Sequence, residues 1–422
     1  MTIKLTTLKN GIRVLTDERK GAKMVSVDMY VQTGSKDEPL NQKGIAHFIE
    51  HMMFRGTKEM NSEKLRKAFA DLGIYHNGGT GGVFTDYYIN VLKTDLEKGC
   101  RLFSNMLTRP AFEEKGFEIE KGVVINEIKQ APDNINRKYF RFVMESIYPN
   151  TPLALDGLGT EKIIKGLKAD DLRKYWRHEY TTDKIILAAR GGITHQKFVS
   201  LCEKQFSTFL QKKQKTKKYH FDAASGLKKK IEEKQSQIWQ TVVFPYEGSA
   251  EKDYYAKTLL MGILATGSSS RLWFKIREDR GLAYSIWSHK NIYPTFGFWG
   301  ISVKNKPQDT TEVLELICKE CQKVQSDVSE EELNRVKKEY LVGLASGEDN
   351  LSAGARNMAD QLGTFGRIIQ PEEMVKGYKS VTLKDVKRVA KKMFSVVPTV
   401  VIMGPKCKTP TYKTICKWLK GE

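Results

Sequence analysis

The sequence has few of the features that mark fibrous, disulfide-bonded or membrane-spanning proteins. Only 12 of its 422 residues are proline and 33 are glycine, which excludes a collagen-like repeat. Six cysteines are too few for a disulfide scaffold in a chain of this length. No apolar run approaches the roughly 18–20 residues that span a bilayer, so we expect no membrane-spanning helix. The remaining composition, 40% hydrophobic and 28% charged, is that of a globular protein.

The amino-terminal residues lack the continuous apolar core of a secretory signal. Residues 1–15 alternate apolar and polar side chains, and Asn10-Gly11 is typical of a two-residue hairpin turn. We therefore expect a cytoplasmic protein. The alternative is a mature organellar protein whose targeting segment has been removed.

Acidic residues are outnumbered by basic ones, 50 to 70, which gives a formal net charge of +20. Such a charge allows attraction to nucleic acids. The lysines are nevertheless spread along the chain, and the densest cluster, within residues 212–218, has no accompanying arginine and aromatic signature. We expect a solvated basic surface and no specific nucleic-acid partner. A steep salt dependence of DNA binding would support the alternative.

Two sequence patterns recur at about half the chain length. The predicted strand 87–93 resembles 298–304, which lies 211 residues further on, and the helix and strand of 169–189 resemble 383–403, 214 residues further on. Unless both recurrences are chance, they indicate a duplicated domain. We predict an α+β protein with two homologous domains, 1–210 and 227–422, joined by a linker at 211–226. Each domain is predicted to be a largely antiparallel sheet with helices packed on it.

A short segment carries the chemistry of the first half. Residues 41–56 are predicted to form a helix, and Gly56 is a suitable stop. Its apolar stripe is predicted to contain Ile45, Phe48, Ile49 and Met52. His47 and His51 are four residues apart, so their rings project from one face and can share a Zn²⁺ ion. Glu50 is a candidate general base if it is not a ligand. The alternative is a helix with two surface histidines and a glutamate.

A third zinc ligand is expected on a second predicted helix, 118–128. Glu120 and Glu127 are seven residues apart and lie on nearly one helical face. This spacing suits one ligand and one partner for a histidine N–H group. The apolar face of this helix is predicted to contain Ile119, Val123 and Ile128.

A C-x-x-C pair, Cys318 and Cys321, lies in a pattern typical of a helix. No second pair follows at the spacing of a zinc ribbon. We expect both side chains to pack against the core, with a redox or metal role as the alternative.

The residues His47-Phe48-Ile49-Glu50-His51 match the inverted zinc motif of the inverzincins. Glu127 follows 76 residues later, where that group has its third ligand. From about Leu5 to Gly404 the chain resembles the pitrilysin family of metallopeptidases, the group that includes insulysin and mitochondrial processing peptidase, and its length resembles the short branch. The resemblance implies one Zn²⁺ per chain, held by His47, His51 and Glu127. It also implies that Glu50 is the general base and that Glu120 has a supporting role.

The same resemblance implies further site residues outside the motif. Asn77 matches the family's asparagine before the strand that pairs with substrate. The segment that follows, 78–82, is unusually rich in glycine, which predicts a weak strand that is mobile or differently aligned. Arg277 and Tyr284, seven residues apart, match a catalytic pair that donates to the substrate carbonyl and to the developing oxyanion. At the position of the zinc motif, the second half has 256–262, which lacks the histidines and the glutamate.

The family likeness also implies the substrate and the assembly. Zinc peptidases of this type enclose unfolded peptides in a chamber built from four such domains, and this chain supplies two. We therefore predict a homodimer in which Arg277 and Tyr284 complete the site of the other chain. The alternative is a non-catalytic structural or assembly subunit of the same family.

Overall fold

The computed structural model describes residues 3–209, 219–246, 253–293, 295–347 and 350–422, and both halves contain helices and strands. The strands are β1 Lys4–Thr7, β2 Arg13–Glu18, β3 Met24–Val31, β4 Tyr75–Thr80, β5 Thr85–Leu92, β6 Ile185–Gly191, β7 Gly226–Ile231, β8 Ile238–Tyr246, β9 Ala283–Ile292, β10 Gly297–Asn305 and β11 Thr399–Gly404. The helices are α1 Ile45–Met53, α2 Ser62–Asp71, α3 Leu96–Thr108, α4 Glu114–Gln130, α5 Ile135–Ile147, α6 Glu161–Gly166, α7 Ala169–Glu179, α8 His195–Phe206, α9 Tyr254–Ala265, α10 Thr310–Asp327, α11 Glu330–Ser346, α12 Leu351–Phe365, α13 Pro371–Ser380, α14 Leu383–Phe394 and α15 Tyr412–Lys420.

The strands form two sheets of the same design. The first has the order β1-β2-β6-β3-β5-β4 and the second β7-β11-β8-β10-β9. In each sheet one pair is parallel, β2 with β6 and β7 with β11, and the other pairs are antiparallel. Apart from β1, the two sheets therefore share strand order and directions. This confirms the predicted duplication and the α+β class.

The predicted repeats occupy equivalent places in the two sheets. β5 and β10 each pair with the edge strand, β4 and β9 respectively. The recurring helix and strand are α7 with β6 and α14 with β11. β3 is buried along almost its whole length, as expected for a central strand covered on both faces.

Contacts divide the chain into two compact units that do not follow the sequence halves. The first comprises the described residues of 1–135, 155–217 and 346–371, and the second those of 136–154, 218–345 and 372–422. In the first unit, α12 packs on the first sheet through buried residues of both elements, which include Leu15, Tyr30, Ile186, Ala355, Met358 and Leu362. In the second, Tyr139 of α5 donates to or accepts from the Thr241 hydroxyl at 2.5 Å, and its ring lies 5.1 Å from that of Trp239. Each unit therefore contains a helix from the other half of the sequence.

The domain boundaries 1–210 and 227–422 stay a prediction. The compact units differ from these ranges because each contains a helix from the other half of the chain. Of the predicted linker, 211–226, the part up to residue 218 lies outside the described residues, as does the lysine cluster of 212–218. Gly226 already begins β7.

Two expectations drawn from composition concern helices. Within the described ranges, no helix is long and apolar enough to cross a bilayer. Cys318 and Cys321 lie on α10, as the helical pattern predicted, and both side chains are fully buried with free thiols. The cellular compartment stays a prediction.

Candidate active site

The predicted zinc motif lies on α1, whose start is fixed by a glycine and a buried carboxylate. Gly44 has a φ of +95°, and a Cβ atom there would lie 2.4 Å from the Leu158 carbonyl oxygen, so a side chain does not fit. The buried Glu38 carboxylate accepts hydrogen bonds from the N–H groups of Gly44 and Ala46, at 3.1 and 2.9 Å. These N–H groups would otherwise lack partners at a helix start.

The helix itself is shorter than the predicted span 41–56, because it begins only after Gly44 and ends at Met53. Its predicted apolar stripe is confirmed, since the following side chains are buried: Ile45, Phe48, Ile49 and Met52. With this face packed on the core, His47 and His51 lie on the other side, their ring centroids 4.6 Å apart.

The structure brings His47, His51 and Glu127 together, although Glu127 comes from α4. The possible ligand atoms of the three residues all lie within 4.8 Å of one another. Glu127 Oε2 is 3.6 Å from His47 Nε2 and 3.7 Å from His51 Nε2. Four ligands around zinc at about 2.0–2.1 Å lie about 3.3 Å from each other, so two imidazoles and a carboxylate at this spacing fit the metal with small adjustments.

Glu120 holds His51 from behind. His51 Nδ1 and Glu120 Oε1 are 2.8 Å apart, and the other oxygen of Glu120 forms an ion pair with Arg55, 2.8 Å from its Nε. A carboxylate on one ring nitrogen fixes the imidazole orientation and leaves Nε2 for the metal. Burial acts to lower the pKa of His51, but the hydrogen bond to Glu120 and the neighbouring carboxylates outweigh it, so the pKa is raised.

Glu50 lies beside this cluster and faces the edge strand β4. The Thr80 hydroxyl donates to Glu50 Oε2 at 2.7 Å. On the same side of the strand, a Cβ atom at Gly78 would lie 3.2 Å from Glu50 Cγ. Burial raises the pKa of Glu50, and the hydrogen bond from Thr80 partly opposes this. A carboxylate with a raised pKa is suited to general-base work near neutral pH.

The glycine-rich segment forms a regular edge strand and the turn after it. β4 pairs with β5 without a break in register, from Tyr75 opposite Asn90 to Thr80 opposite Thr85. The mobility of this edge, or an alignment that differs from that of the family, stays a prediction. The turn is fixed because the carbonyl oxygens of 81 and 82 accept hydrogen bonds from the N–H groups of 35 and 36, at 3.0 and 2.9 Å.

The outer edge of β4 presents backbone polar groups. The N–H of Gly81 donates to the Phe84 carbonyl at 2.8 Å, and hydrogen-bonded pairs alternate along an antiparallel ladder. The backbone groups of residues 76, 78 and 80 therefore point away from the sheet. The exposed Asn77 side chain accepts from the Gly78 N–H at 2.9 Å, so it occupies a position that an added strand would use. The role of Asn77 in substrate binding stays a prediction.

The prediction for the apolar face of α4 was wrong in part. Ile119 and Val123 are 52% and 46% exposed, whereas the helix buries Phe117, Glu120 and Val124. The inward face combines the fully buried Phe117 and Val124 with Glu120, which contacts His51 of α1. Ile119 and Val123 instead share a stripe with Glu127, at intervals of four residues.

Arg277 and Tyr284 lie in the second unit and pack on each other. Arg277 is on a short π-helix, Trp273–Glu278, and its Nη1 donates to the Tyr284 carbonyl at 2.9 Å. The guanidinium lies 4.1 Å above the Trp273 ring and 4.3 Å from the Tyr284 ring. Tyr284 is the second residue of the edge strand β9 and is 73% exposed. Their catalytic role stays a prediction.

Glu38 and Arg55 were not predicted as part of the site, and the hydrogen bond from Thr80, on the predicted substrate edge, to Glu50 was not predicted either. Arg55 lies four residues after His51, and this spacing is a signal that could have placed it near the same face. Glu38 and Thr80 reach α1 from a loop and from β4, and no local sequence pattern indicates these contacts.

Known proteins match the chain over most of its length. Residues 13–161 match the family described as "Insulinase (Peptidase family M16)", and residues 166–340 match the "Peptidase M16 inactive domain". The first match contains the zinc motif, and the second contains Arg277 and Tyr284.

Two relatives of the chain carry the names of proteases or peptidases. The "Uncharacterized zinc protease" of Rickettsia bellii (strain RML369-C) is 28% identical over 407 residues, which cover 95% of this chain and 97% of that protein. The mitochondrial-processing peptidase subunit beta of Lentinula edodes is 26% identical over 405 residues, covering 92% and 86%.

A solved structure shows the same fold. The crystal structure of a protease from Helicobacter pylori has a TM-score of 0.86 and 24% sequence identity, and the match covers 96% of this chain and all of that one. The two family matches, the zinc-protease relatives and this structure together confirm the predicted family resemblance, which was based on His47–His51 and Glu127. The chain is a two-domain member of peptidase family M16, related to mitochondrial processing peptidase.

Proposed function

We propose that the chain is a zinc-dependent endopeptidase or oligopeptidase that cleaves extended peptides. The observation that supports this most is the convergence of His47, His51 and Glu127 with Glu50 as a neighbouring carboxylate that holds no ligand position. One Zn²⁺ per chain would be held by the first three residues. When bound, zinc lowers the pKa of water toward about 7 and polarises a carbonyl group.

The side chains around this cluster transfer the proton and hold the reacting groups in position. Ionised Glu50 accepts the proton of the attacking water and then passes it to the leaving amine. Thr80 holds the Glu50 carboxylate through the 2.7 Å hydrogen bond, and Glu120 holds the His51 ring. Because these partners are in place before substrate arrives, little reorganisation is needed during the reaction.

The edge of β4 supports an extended peptide as substrate. Its outward N–H and C=O groups can pair with an added strand, which gives affinity with little sequence preference. The exposed Ile119 and Val123, on the Glu127 stripe of α4, add apolar surface beside the ligand cluster. We therefore expect unfolded peptides with apolar side chains to be preferred, and folded proteins to resist cleavage. Rapid cleavage of a stable folded protein at interior sites would contradict this.

A comparison of two glutamate variants tests the catalytic role. Glu50→Gln should keep zinc and lower the cleavage rate of an unfolded peptide by about 10²–10⁴-fold, since it removes only the proton-transfer group. Glu63→Gln, an exposed position on α2, is the matched control and should change neither quantity. Loss of zinc from the Glu50 variant would contradict the assignment. Absence of metal-dependent cleavage by the unaltered protein would favour the non-catalytic subunit.

We further propose that the working unit is a homodimer with sites completed in trans. The Lentinula relative is itself named as a subunit, which supports an assembly. The exposed Tyr284, and Arg277 stacked on it, are suited to meet a peptide outside their own unit. The family likeness assigns such a pair to a domain other than the one that binds zinc.

Mixing two inactive variants tests this assembly. One carries Glu50→Gln and the other carries Arg277→Ala with Tyr284→Phe. If sites are shared between chains, a mixed dimer has one intact site and recovers up to about half the normal activity. If each chain completes its own site, mixing restores nothing. A fully active monomer in sedimentation would also contradict the homodimer.

A further inference from the structure

The first unit contains a cavity of about 310 Å³ whose lining residues include none of those assigned to the zinc site. Three aromatic side chains form one wall: Phe112, Trp176 and Phe209. The Trp176 ring centroid lies 6.3 Å from those of Phe112 and Phe209, which are only 3% and 4% exposed, so the half-buried Trp176 supplies most of the accessible aromatic surface. Such a wall suits a flat apolar group. We call this cavity the basic pocket.

Four cationic side chains complete the basic pocket: Lys58, Arg109, Arg173 and Arg177. Among the described residues, no aspartate or glutamate lines it. Arg109 pairs with Glu59 at 2.6 Å beside the pocket. The hydrogen bond from Lys174 lowers the pKa of Asp170, and the charges of Arg173 and Arg177 help to lower it. Two nearby carboxylates therefore offset part of the four positive charges. Lys58 and Arg177 are exposed. The pocket therefore attracts an anion, and the arginine forks match the planar shape of a carboxylate.

Backbone and side-chain contacts hold the basic pocket open in one form. Arg173 Nη2 donates to the Phe112 carbonyl at 2.5 Å, which fixes the guanidinium next to the aromatic wall. Phe112 has a φ of +46°, in the left-handed region that bulky residues rarely adopt. Its loop is held because the Lys58 N–H donates to the Arg109 carbonyl at 2.9 Å. A pocket formed in advance loses less entropy on binding.

We propose that the basic pocket binds an aromatic carboxylate, with the ring against Trp176 and the carboxylate on Arg173 and Arg177. The volume is near the lower end for ligand sites, which suits one ring system with a short acidic chain. Two sources share this chemistry, a free aromatic acid and the carboxyl-terminal aromatic residue of a peptide. The proposal is independent of the zinc site.

Paired ligands that differ only in charge test the proposal in the full-length protein. The free-acid arm compares N-acetylphenylalanine with N-acetylphenylalaninamide, and the peptide arm compares glycylglycylphenylalanine with its amide, by calorimetry at low salt. At least one acid should bind saturably and at least 10-fold more tightly than its amide, and the arm that does so identifies the source. Equal binding of acid and amide in both arms, or no saturable binding up to 10 mM, overturns the proposal.

A charge-matched pair of variants locates the binding. The double variant Lys58→Gln with Arg177→Gln removes two exposed cations from the pocket. Each substitution should weaken binding of the acid by about 5-fold, which is the effect of one charge at about 4 Å in water. Lys64→Gln with Lys67→Gln removes two exposed cations of α2 and is the control. The pocket variant should lose about 20-fold and the control nothing. An equal loss in both variants would place the binding elsewhere and overturn the proposal.

Discussion

Replacing Thr80 by valine removes the hydroxyl that holds Glu50 while keeping the shape of the side chain. The bond is 2.7 Å long and is accepted by a carboxylate. Hydrogen bonds to charged groups contribute about 1.5–3 kcal/mol. At about 1.4 kcal/mol per factor of ten, peptide cleavage should slow by about 10- to 100-fold. Thr80→Ser keeps the hydroxyl and should stay near the unaltered rate.

The assay measures kcat and KM with a quenched fluorescent peptide, together with zinc per chain. The loss should appear in kcat, since Thr80 positions the base and does not hold metal. The hydrogen bond favours the ionised form of Glu50, so its removal raises the pKa of this carboxyl. The acidic limb of the pH profile should therefore move to higher pH in Thr80→Val and not in Thr80→Ser.

Three results would refute this reasoning about Thr80. Equal rates for the valine variant and the unaltered protein would show that the hydroxyl does not position Glu50. A loss in Thr80→Ser as large as that in Thr80→Val would show that the hydroxyl alone does not account for the effect. Zinc loss in the valine variant would indicate a structural role.

Three further predictions concern other parts of the fold. Glu120→Gln should weaken zinc binding by about 10- to 100-fold in a competition titration, because it alters the partner of the His51 ring. Burial lowers the pKa of His289 to about 4, so between pH 6.5 and 4 the unfolded chain takes up a proton that the folded chain does not. The free energy of unfolding should fall by up to about 3 kcal/mol as the pH is lowered through this window. The fall should be smaller in His289→Gln, and denaturant titrations at several pH values measure both. Gly44→Ala should lower the stability by more than about 1 kcal/mol, since its Cβ would meet the Leu158 carbonyl at 2.4 Å in a left-handed conformation.

The local part of the site could be predicted because helical spacing is a local property. His47 and His51 had to share a face once their segment was helical, and the apolar stripe fixed which face was buried. Glu127 lies on another helix, so its spacing to Glu120 left two candidates open. The family resemblance implies that Glu127 is the ligand, and its distances to the two histidines support that assignment.

The parts that sequence patterns missed depend on contacts between distant segments. The apolar stripe of α12 indicates that one face of the helix is buried. It does not indicate that this face packs on the sheet formed by the first half of the chain. For α4, apolar periodicity pointed to Ile119 and Val123. The helix instead buries Phe117 and Val124 together with Glu120, which pairs with Arg55. A pattern analysis assumes that charged side chains are exposed, so it misses a charged side chain that is buried with a partner.

The central claim is that Glu127 completes a zinc site with the two histidines of α1. The most direct test measures zinc per chain by mass spectrometry in the unaltered protein, in Glu127→Gln, and in Glu118→Gln, an exposed position on the same helix that pairs with Lys121. The account predicts about one zinc in the first and third proteins and a large loss in the second, with peptide cleavage lost in parallel. Full zinc occupancy in Glu127→Gln, or equal losses in both variants, would contradict it.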